Sequence, residues 1–357
     1  MEDYYKTAYQ KNALLSYIIY PFVGPILNNH SNHRECLAIA EILKELGYNV
    51  DVINWDNNTF IPKKKYDVVI DNHNNLARLS SHLKEARKIF HASNAHWLYQ
   101  NWVEYGRCYQ FYVQYGKALV PPRLMPPGNS AEYCDAISMF GNEFTKTTFG
   151  GFSKKITQLP MSVVTEVNLL PREYLSTRHN FLWINSHGAL LKGLDIIIDA
   201  FSQLPDFKIF ICTDTSRDLD FFESRKQQFK DSPNICLIGW VDTGGITYNN
   251  LLQECAWIIG SSFCEGGGGS VLNGMASGLV PLVSRSMSIT LPIDTGFYME
   301  HLDVASMVQD LKEIVLTSEI QYKTISQNAY NFIKNSHTVQ NFKQHYKEFL
   351  INEGILA

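Results

Sequence analysis

The sequence predicts an α/β protein of two domains, each with a parallel sheet covered by helices. Short apolar runs typical of buried strands alternate with segments whose apolar residues recur at helical spacing. This alternation starts again after a proline-bounded segment between Pro160 and Pro171. The chain has 357 residues, which is more than one compact core usually holds.

In the first half, "ALLSYIIY" predicts a buried strand and "HRECLAIAEILKELGYN" predicts a helix. The apolar face of that helix is formed by Ile39, Ile42, Leu43 and Leu46, and Gly47 is expected to end it. Four more strands are predicted from "NVDVINW", "YDVVIDNH", "ARKIFHAS" and "CDAISMFG".

The second half repeats this organisation. "FLWINS" predicts a strand, and "LKGLDIIIDAFSQL" predicts a helix with Leu194, Ile197, Ile198 and Phe201 on one face. Further strands are predicted from "FKIFICTD", "NICLIGW", "CAWIIGSS" and "GLVPLVS". The last segment, "YNFIKNSHTVQNFKQHYKEFLINEG", predicts a helix.

Composition argues against several classes of protein. A net charge of −4 does not suit a nucleic-acid binder with a broad basic surface, so no nucleic-acid partner is expected. The seven cysteines are scattered without CxxC pairs, which favours a reducing, cytoplasmic location. Apolar runs stay well short of the roughly 20 residues of a membrane span. The polar, acid-containing N-terminus is not expected to be a secretory signal.

A glycine run is the first candidate site. Gly266, Gly267, Gly268 and Gly269, followed by Ser270, lie between a predicted strand and a predicted helix. Open α/β sheets bind ligands at the carboxyl ends of their strands, and backbone N–H groups that begin a helix attract phosphate. The run therefore predicts a nucleotide diphosphate site, with a flexible turn as the alternative. Neither GxxxxGK[ST] nor a clean GxGxxG after the first strand is present, which argues against an ATPase or an ordinary dinucleotide enzyme.

Two motifs carry a resemblance to a known family. Glu265 precedes the glycines and "NGMASGLVP", and "SHGALLKG" lies upstream. This pattern resembles the retaining GT-B glycosyltransferases of family 4 (group 1). Lys192 stands where that family has its Lys, whereas His187 replaces its Arg and Asn273 replaces its second Glu.

The resemblance covers about 181–296, and over 14–160 only the order of strands, loops and helices matches. It implies a GT-B architecture of two Rossmann-like domains facing a central cleft. The expected parts are an acceptor-binding domain (1–165), a nucleotide-sugar-binding domain (166–335) and a C-terminal helix (336–357) that packs back on the N-terminal domain.

The implied activity is hexosyl transfer with retention of configuration, without a metal or a cofactor. The nucleotide sugar is then a substrate, and a sugar, glycan, lipid or protein is the acceptor. The resemblance implies that Lys192 and His187 flank the diphosphate, that Glu265 holds hydroxyls of the donor sugar, and that Asn273 contacts the ribose. Lys192 suits its role because charge builds up on the leaving diphosphate.

In the N-terminal half, the loop around Gly24 is expected to face the cleft. Either His91 or His96 is expected near the reactive carbon of the donor sugar, and a structural histidine is the alternative for both. The aromatic-rich segment "RCYQFYVQYGKALVPPRL" predicts either a buried segment or an acceptor-binding region with weak peripheral membrane contact.

Two other functions fit the same sequence. One is a GT-B nucleotide-sugar epimerase. The other is a non-catalytic relative that binds a nucleotide or a sugar, which the changes at His187 and Asn273 favour somewhat.

Overall fold

A computed structural model of the chain describes residues 1–26, 30–150 and 155–356. These residues form two compact α/β units, each with a six-stranded parallel sheet, which confirms the predicted fold class. The first unit comprises Met1–Trp97, Pro126–Ser162 and Ser336–Ala357, and the second comprises Leu98–Met125 and Val163–Asn335.

The strands of the first sheet are β1 (Lys11–Tyr17), β2 (Tyr48–Asn54), β3 (Val68–Asp71), β4 (Arg87–Ala92), β5 (Ala136–Phe140) and β6 (Ile156–Leu159). Those of the second are β7 (Asn180–Ile184), β8 (Lys208–Cys212), β9 (Ile235–Gly239), β10 (Trp257–Gly260), β11 (Val280–Ser284) and β12 (Phe297–Met299). Their spatial orders are β2-β1-β3-β4-β5-β6 and β12-β11-β10-β7-β8-β9.

In chain order, the helices are α1 (Tyr20–Val23), α2 (Asn32–Glu45), α3 (Asn75–Arg78), α4 (Trp97–Tyr115), α5 (Ser130–Tyr133), α6 (Glu143–Thr147), α7 (Tyr174–Thr177), α8 (Leu194–Phe201), α9 (Leu219–Asp231), α10 (Ile246–Glu254), α11 (Gly269–Met275), α12 (Val304–Ile314), α13 (Glu319–Ser336) and α14 (Val339–Asn352). A 3₁₀ turn, Thr215–Asp218, precedes α9.

The core of the first unit combines the central strands with α2 and the C-terminal helix α14. The side chains of Phe342, Tyr346 and Leu350 on α14 are fully buried in this core. They recur at i, i+4 and i+8, which places them on one face of the helix. Ile39 and Leu43 of α2 belong to the same cluster. The last helix therefore supplies part of the hydrophobic core of the first unit.

The core of the second unit is built around β7, β10 and α8. Trp183 and Trp257 are fully buried on neighbouring strands, and Ile197 and Phe201 of α8 pack in the same cluster. Because both faces of a parallel sheet are covered, its strands are apolar throughout, as "FLWI" and "WIIG" are. This packing holds the carboxyl ends of β7 and β10 side by side.

Helix α4 belongs to a different unit from the one that the sequence predicts. The sequence predicts one domain over 1–165, but Leu98–Met125 belongs to the second unit. Arg107 of α4 forms a buried ion pair with Asp195 of α8, with 2.5 Å between Nη2 and Oδ2. Phe111 of α4 is buried in the second core. These contacts explain why the chain joins the second unit before returning to the first.

The C-terminal segment, which the sequence predicts to be helical, contains two helices, and the second lies within the predicted helix at 336–357. Helix α13 ends at Ser336, and the side-chain oxygen of Thr338 accepts a hydrogen bond from the backbone N–H of Asn341 (3.1 Å). A threonine in this position caps a new helix, because it satisfies an N–H group that has no partner within the helix. Helix α14 thus begins at Val339 as a separate helix.

Candidate functional site

Lys192 and Glu265, the two charged residues of the predicted motifs, meet at the carboxyl edge of the second sheet. Lys192 follows β7 and Glu265 follows β10, and these two strands are paired. The Lys192 ammonium forms an ion pair with the Glu265 carboxylate. The side chain of Lys192 is 5% exposed, and that of Glu265 is 17% exposed. The Oγ of Ser262 also lies 3.4 Å from Oε2 of Glu265. The structure therefore brings the two motifs together.

Hydrogen bonds between the loops after β7 and β10 fix this meeting point. The N–H of Phe263 donates to the carbonyl of Leu191 (2.8 Å), and the Ser261 hydroxyl donates to the carbonyl of Lys192 (2.8 Å). Gly193 has a φ of +69°, and a Cβ there would lie 2.4 Å from the carbonyl oxygen of Ser261. Only glycine combines this conformation with such a close approach. In the "KG" pair, the glycine is thus required by packing, and the lysine supplies the charge.

The charge of Lys192 is subject to opposing influences. Burial, followed by the charge of Arg123, lowers the pKa of Lys192 well below its usual value. The carboxylate of Glu265, which contacts the ammonium, favours the charged form. A further anion at this site would stabilise the ammonium in the same way.

The glycine run forms the turn between β10 and α11. Gly266, Gly267 and Gly268 are buried, and Gly269 is the first residue of α11. Gly268 has a φ of +64°, and a Cβ there would lie 2.5 Å from Cδ1 of Ile289. At this position glycine is therefore required by the backbone and by packing. Ser270 lies in the first turn of α11.

His187 lies just beyond the carboxyl end of β7 and is buried (8% exposed). Burial is the largest cause that lowers its pKa, to about 3, and the charges of Arg123, Arg217 and Lys192 add to it. The imidazole is therefore neutral at physiological pH. Its Nδ1 lies 3.1 Å from Oγ of Ser186.

The N–H groups of the same loop are already paired. The Asp218 carboxylate accepts hydrogen bonds from the N–H of Gly188 (2.7 Å) and that of Ala189 (3.3 Å). Burial raises the pKa of Asp218, and these two hydrogen bonds oppose the shift. An anion at this loop would therefore be bound by side chains rather than by these two N–H groups.

Asn273 lies on α11 and contacts the segment that enters the second unit. Its Oδ1 accepts a hydrogen bond from the N–H of Val164 (2.9 Å) and lies 3.4 Å from Oγ1 of Thr165. The carbonyl oxygen of this side chain thus has a structural role. Toward a ribose hydroxyl, the side chain retains its Nδ2 group as a donor.

In the first unit, the structure distinguishes the two candidate histidines by their surroundings. His91 is 1% exposed, its Nδ1 lies 3.0 Å from Oγ of Ser138, and its ring packs between aromatic side chains, including Phe140 and Tyr346. Burial lowers the pKa of His91 to about 3. His91 is therefore a neutral residue of the core, which is the structural alternative of the sequence analysis.

His96 lies beyond the carboxyl end of β4, one residue before α4. Its backbone N–H donates to Oγ1 of Thr148 (3.0 Å), and its ring packs edge-on against Phe149. Burial lowers the pKa of His96. Gly24 directly follows α1 with extended backbone, and a Cβ there would lie 2.9 Å from the ring of Tyr20.

Neither a metal site nor a membrane span is found in the described part of the chain. Over those residues, no group of three or more His, Cys, Asp or Glu side chains could hold a metal ion. No helix formed by residues 1–26, 30–150 or 155–356 is long and apolar enough to cross a membrane.

Comparison with known proteins identifies the fold. No model of a known protein family matches the sequence, and no curated protein matches it. A glycosyltransferase from Rickettsia africae ESF-5 is 15% identical over 97% of this chain and 99% of its own, with a TM-score of 0.66. The chain has the GT-B fold.

Two further structures with this fold are similar over nearly the whole chain. Sucrose-phosphate synthase from Thermosynechococcus elongatus is 13% identical, with 96% of this chain and 98% of that chain covered and a TM-score of 0.65. HepE from Anabaena, in complex with UDP and glucose, is 12% identical, with 96% of this chain and 99% of that chain covered and a TM-score of 0.63.

The sequence places Arg123 in the aromatic-rich segment but does not predict that it lies beside His187. Its Nη1 lies 3.4 Å from Nε2 of His187. The signal that leads to Arg123 is the periodicity of α4, whose buried residues Gln100, Glu104, Arg107 and Phe111 recur every three or four positions. This pattern predicts a helix packed on one face, but it does not indicate the unit against which the helix packs.

Proposed function

We propose that this protein is a retaining, metal-independent glycosyltransferase of the family 4 type that uses a nucleotide-sugar donor bound by the second unit. The observation that carries the proposal is the contact between Lys192 and Glu265. A cation for phosphate and a carboxylate for hydroxyls converge at the carboxyl edge of a parallel sheet, which is where such sheets bind ligands.

The two side chains suit the two ends of a nucleotide sugar. The ammonium of Lys192 stabilises the charge that develops on the diphosphate as the bond to the sugar breaks. The carboxylate of Glu265 accepts hydrogen bonds from the hydroxyls of the donor sugar. Without a donor, each group compensates the charge of the other, since an unpaired charge at a largely buried site is costly. A bound donor gives both of them additional partners.

Retention of configuration requires no protein base in this proposal. The leaving diphosphate accepts the proton of the acceptor hydroxyl on the face from which it departs. Lys192, placed beside that diphosphate, supplies the positive charge for which other enzymes use a metal ion. Of the two candidate histidines in the first unit, His96 is the one that remains, because His91 is enclosed in the core.

The experiment is an assay of the full-length chain with a panel of nucleotide sugars. UDP-glucose is the first donor to test, because the complex of HepE with UDP-glucose has a similar fold. Release of nucleoside diphosphate that depends on Lys192 and persists in EDTA supports the proposal, and NMR of the product anomer tests retention. Donor binding without turnover, with any acceptor supplied, would favour a non-catalytic relative, and an altered donor sugar would favour an epimerase.

A further inference from the structure

The segment that follows α4 is held in a defined position on the second unit. The N–H of Arg123 donates to Oε1 of Glu104 (3.1 Å), and the Nε2 of Gln100 donates to the carbonyl of Arg123 (2.7 Å). Asn101 makes two hydrogen bonds of 2.8 Å with the backbone of Met125. Four hydrogen bonds thus fix the backbone on both sides of the Arg123 side chain.

The loop after β7 leaves room for this arginine. Gly188 has a φ of +88°, and a Cβ there would lie 2.3 Å from Cγ of Arg123. Any other residue at position 188 would displace the arginine and strain the backbone. The side chain of Arg123 therefore runs directly over Gly188, beside His187.

The guanidinium of Arg123 lacks a counter-ion in the part of the chain that the structure describes. Among the described residues, the only side-chain atom within hydrogen-bond distance of this guanidinium is Nε2 of His187. The buried Nε of Arg123 has no hydrogen-bond partner. Burial lowers the pKa of Arg123, and the charges of Glu104 and Asp218 oppose the shift without forming an ion pair. Lys192 is already paired with Glu265. A guanidinium with a buried Nε and no ion pair is unfavourable unless an anion completes the site.

We propose that Arg123 is the second phosphate-binding cation of the donor site, and that His187 is a positioning residue that holds it. The inference rests on the proposed function and deepens it. The neutral imidazole accepts a hydrogen bond from Nη1 of Arg123 through Nε2 and donates from Nδ1 to the hydroxyl of Ser186. The positive charge beside Lys192 thus comes from the segment after α4, and the histidine orients it. A guanidinium suits this role because its planar donors match phosphate oxygens.

The test is titration calorimetry of the full-length chain with UDP, with inorganic pyrophosphate and with uridine. Arg123→Gln should weaken the binding of UDP and of pyrophosphate about 10- to 100-fold and leave uridine binding unchanged. Lys117→Gln removes the same charge from the same segment, where its ammonium donates to the carbonyl of Asp220, and serves as the matched control. It should bind all three probes like the wild type.

The outcomes separate this inference from the proposed function. If Lys192→Ala weakens UDP binding but Arg123→Gln does not, the role of Arg123 is overturned and the glycosyltransferase proposal stands. If the wild type binds neither UDP, other nucleoside diphosphates nor pyrophosphate, both are overturned. Should Arg123→Gln fail to fold, Arg123→Lys keeps a charge without the planar donors, and wild-type affinity in that variant would also overturn the assigned hydrogen bonding.

The positioning role of His187 has its own readout. His187→Gln keeps a side-chain hydrogen-bond acceptor and should retain most of the pyrophosphate affinity. His187→Phe fills the same space without an acceptor, so it should lose pyrophosphate affinity to the same extent as Arg123→Gln. In the double variant Arg123→Gln, His187→Arg, a guanidinium returns to the loop after β7 and should restore binding. Equal affinities of His187→Gln and His187→Phe would overturn the positioning role.

Discussion

The carboxylate of Glu35 accepts two hydrogen bonds from Ser162, one from the backbone N–H (3.0 Å) and one from the hydroxyl (3.1 Å). Glu35 is fully buried in the first turn of α2, and Ser162 is the last residue before the chain enters the second unit. A buried carboxyl group therefore fixes the end of the first unit.

Glu35 should make the stability of the protein fall as the pH rises toward neutrality. Burial raises the pKa of Glu35 from 4.5 to about 7, against the hydrogen bonds from Ser162 and Ser31. Because the pKa is higher in the folded state, the stabilisation is fully present below pH 4.5 and is lost as the pH rises to about 7. The loss is at most about 1.4 kcal/mol per pH unit. Denaturant unfolding of Glu35→Gln at pH 5 and pH 7.5 should show a flatter dependence than the wild type.

Glu45→Gln is the control for this prediction, since Glu45 is an exposed carboxylate that ends the same helix. Its pH dependence should follow that of the wild type. A Glu35→Gln protein with the pH dependence of the wild type would show that Glu35 does not titrate in this range.

Lys192→Ala should weaken the binding of a nucleoside diphosphate by about 1.5–3 kcal/mol, the range for loss of a hydrogen bond to a charged group. Binding of the bare nucleoside should change far less. The variant should also be less stable, because Glu265 loses its partner at a largely buried position. Adding Glu265→Gln should recover part of the melting temperature but not the affinity. Equal losses of affinity for both ligands would place Lys192 away from the phosphates.

Two glycines of the run should respond differently to substitution. Gly268→Val should lower the melting temperature strongly, because φ is +64° and the side chain would overlap Ile289. Gly267 is not among the glycines with positive φ, so Gly267→Val should fold and yet lose donor binding. A Gly267→Val protein that binds nucleoside diphosphates like the wild type would mean that the run serves only as a turn.

Removal of α14 should unfold the first unit. Phe342, Tyr346 and Leu350 are fully buried in its core, so Phe342→Ala should cost about 3–5 kcal/mol. His345→Ala, at an exposed position of the same helix, should have little effect. Denaturant unfolding gives the stability of both variants. Equal stabilities of Phe342→Ala and His345→Ala would mean that the helix contributes little to the core.

The sequence by itself determined the alternation of strands and helices and two motifs of the site. Hydrophobic periodicity is a local property, so β1, α2, β7 and α8 could be predicted directly. Lys192 and Glu265 were found through the resemblance of their motifs to the glycosyltransferase family, and they meet because parallel strands bring their carboxyl ends to one edge. The alternation could not reveal where α13 ends and α14 begins, which depends on the capping hydrogen bond of Thr338.

Only the tertiary structure decided which distant segments join these motifs. Arg123 lies 64 positions from His187 in the chain, and its place depends on the packing of α4 against the second unit through Arg107 and Asp195. The protonation of His187 and the enclosure of His91 follow from burial, which no spacing of residues encodes. Local pattern specifies elements, whereas burial and charge pairing between remote segments exist only once the chain has folded, and they determine the chemistry of the site.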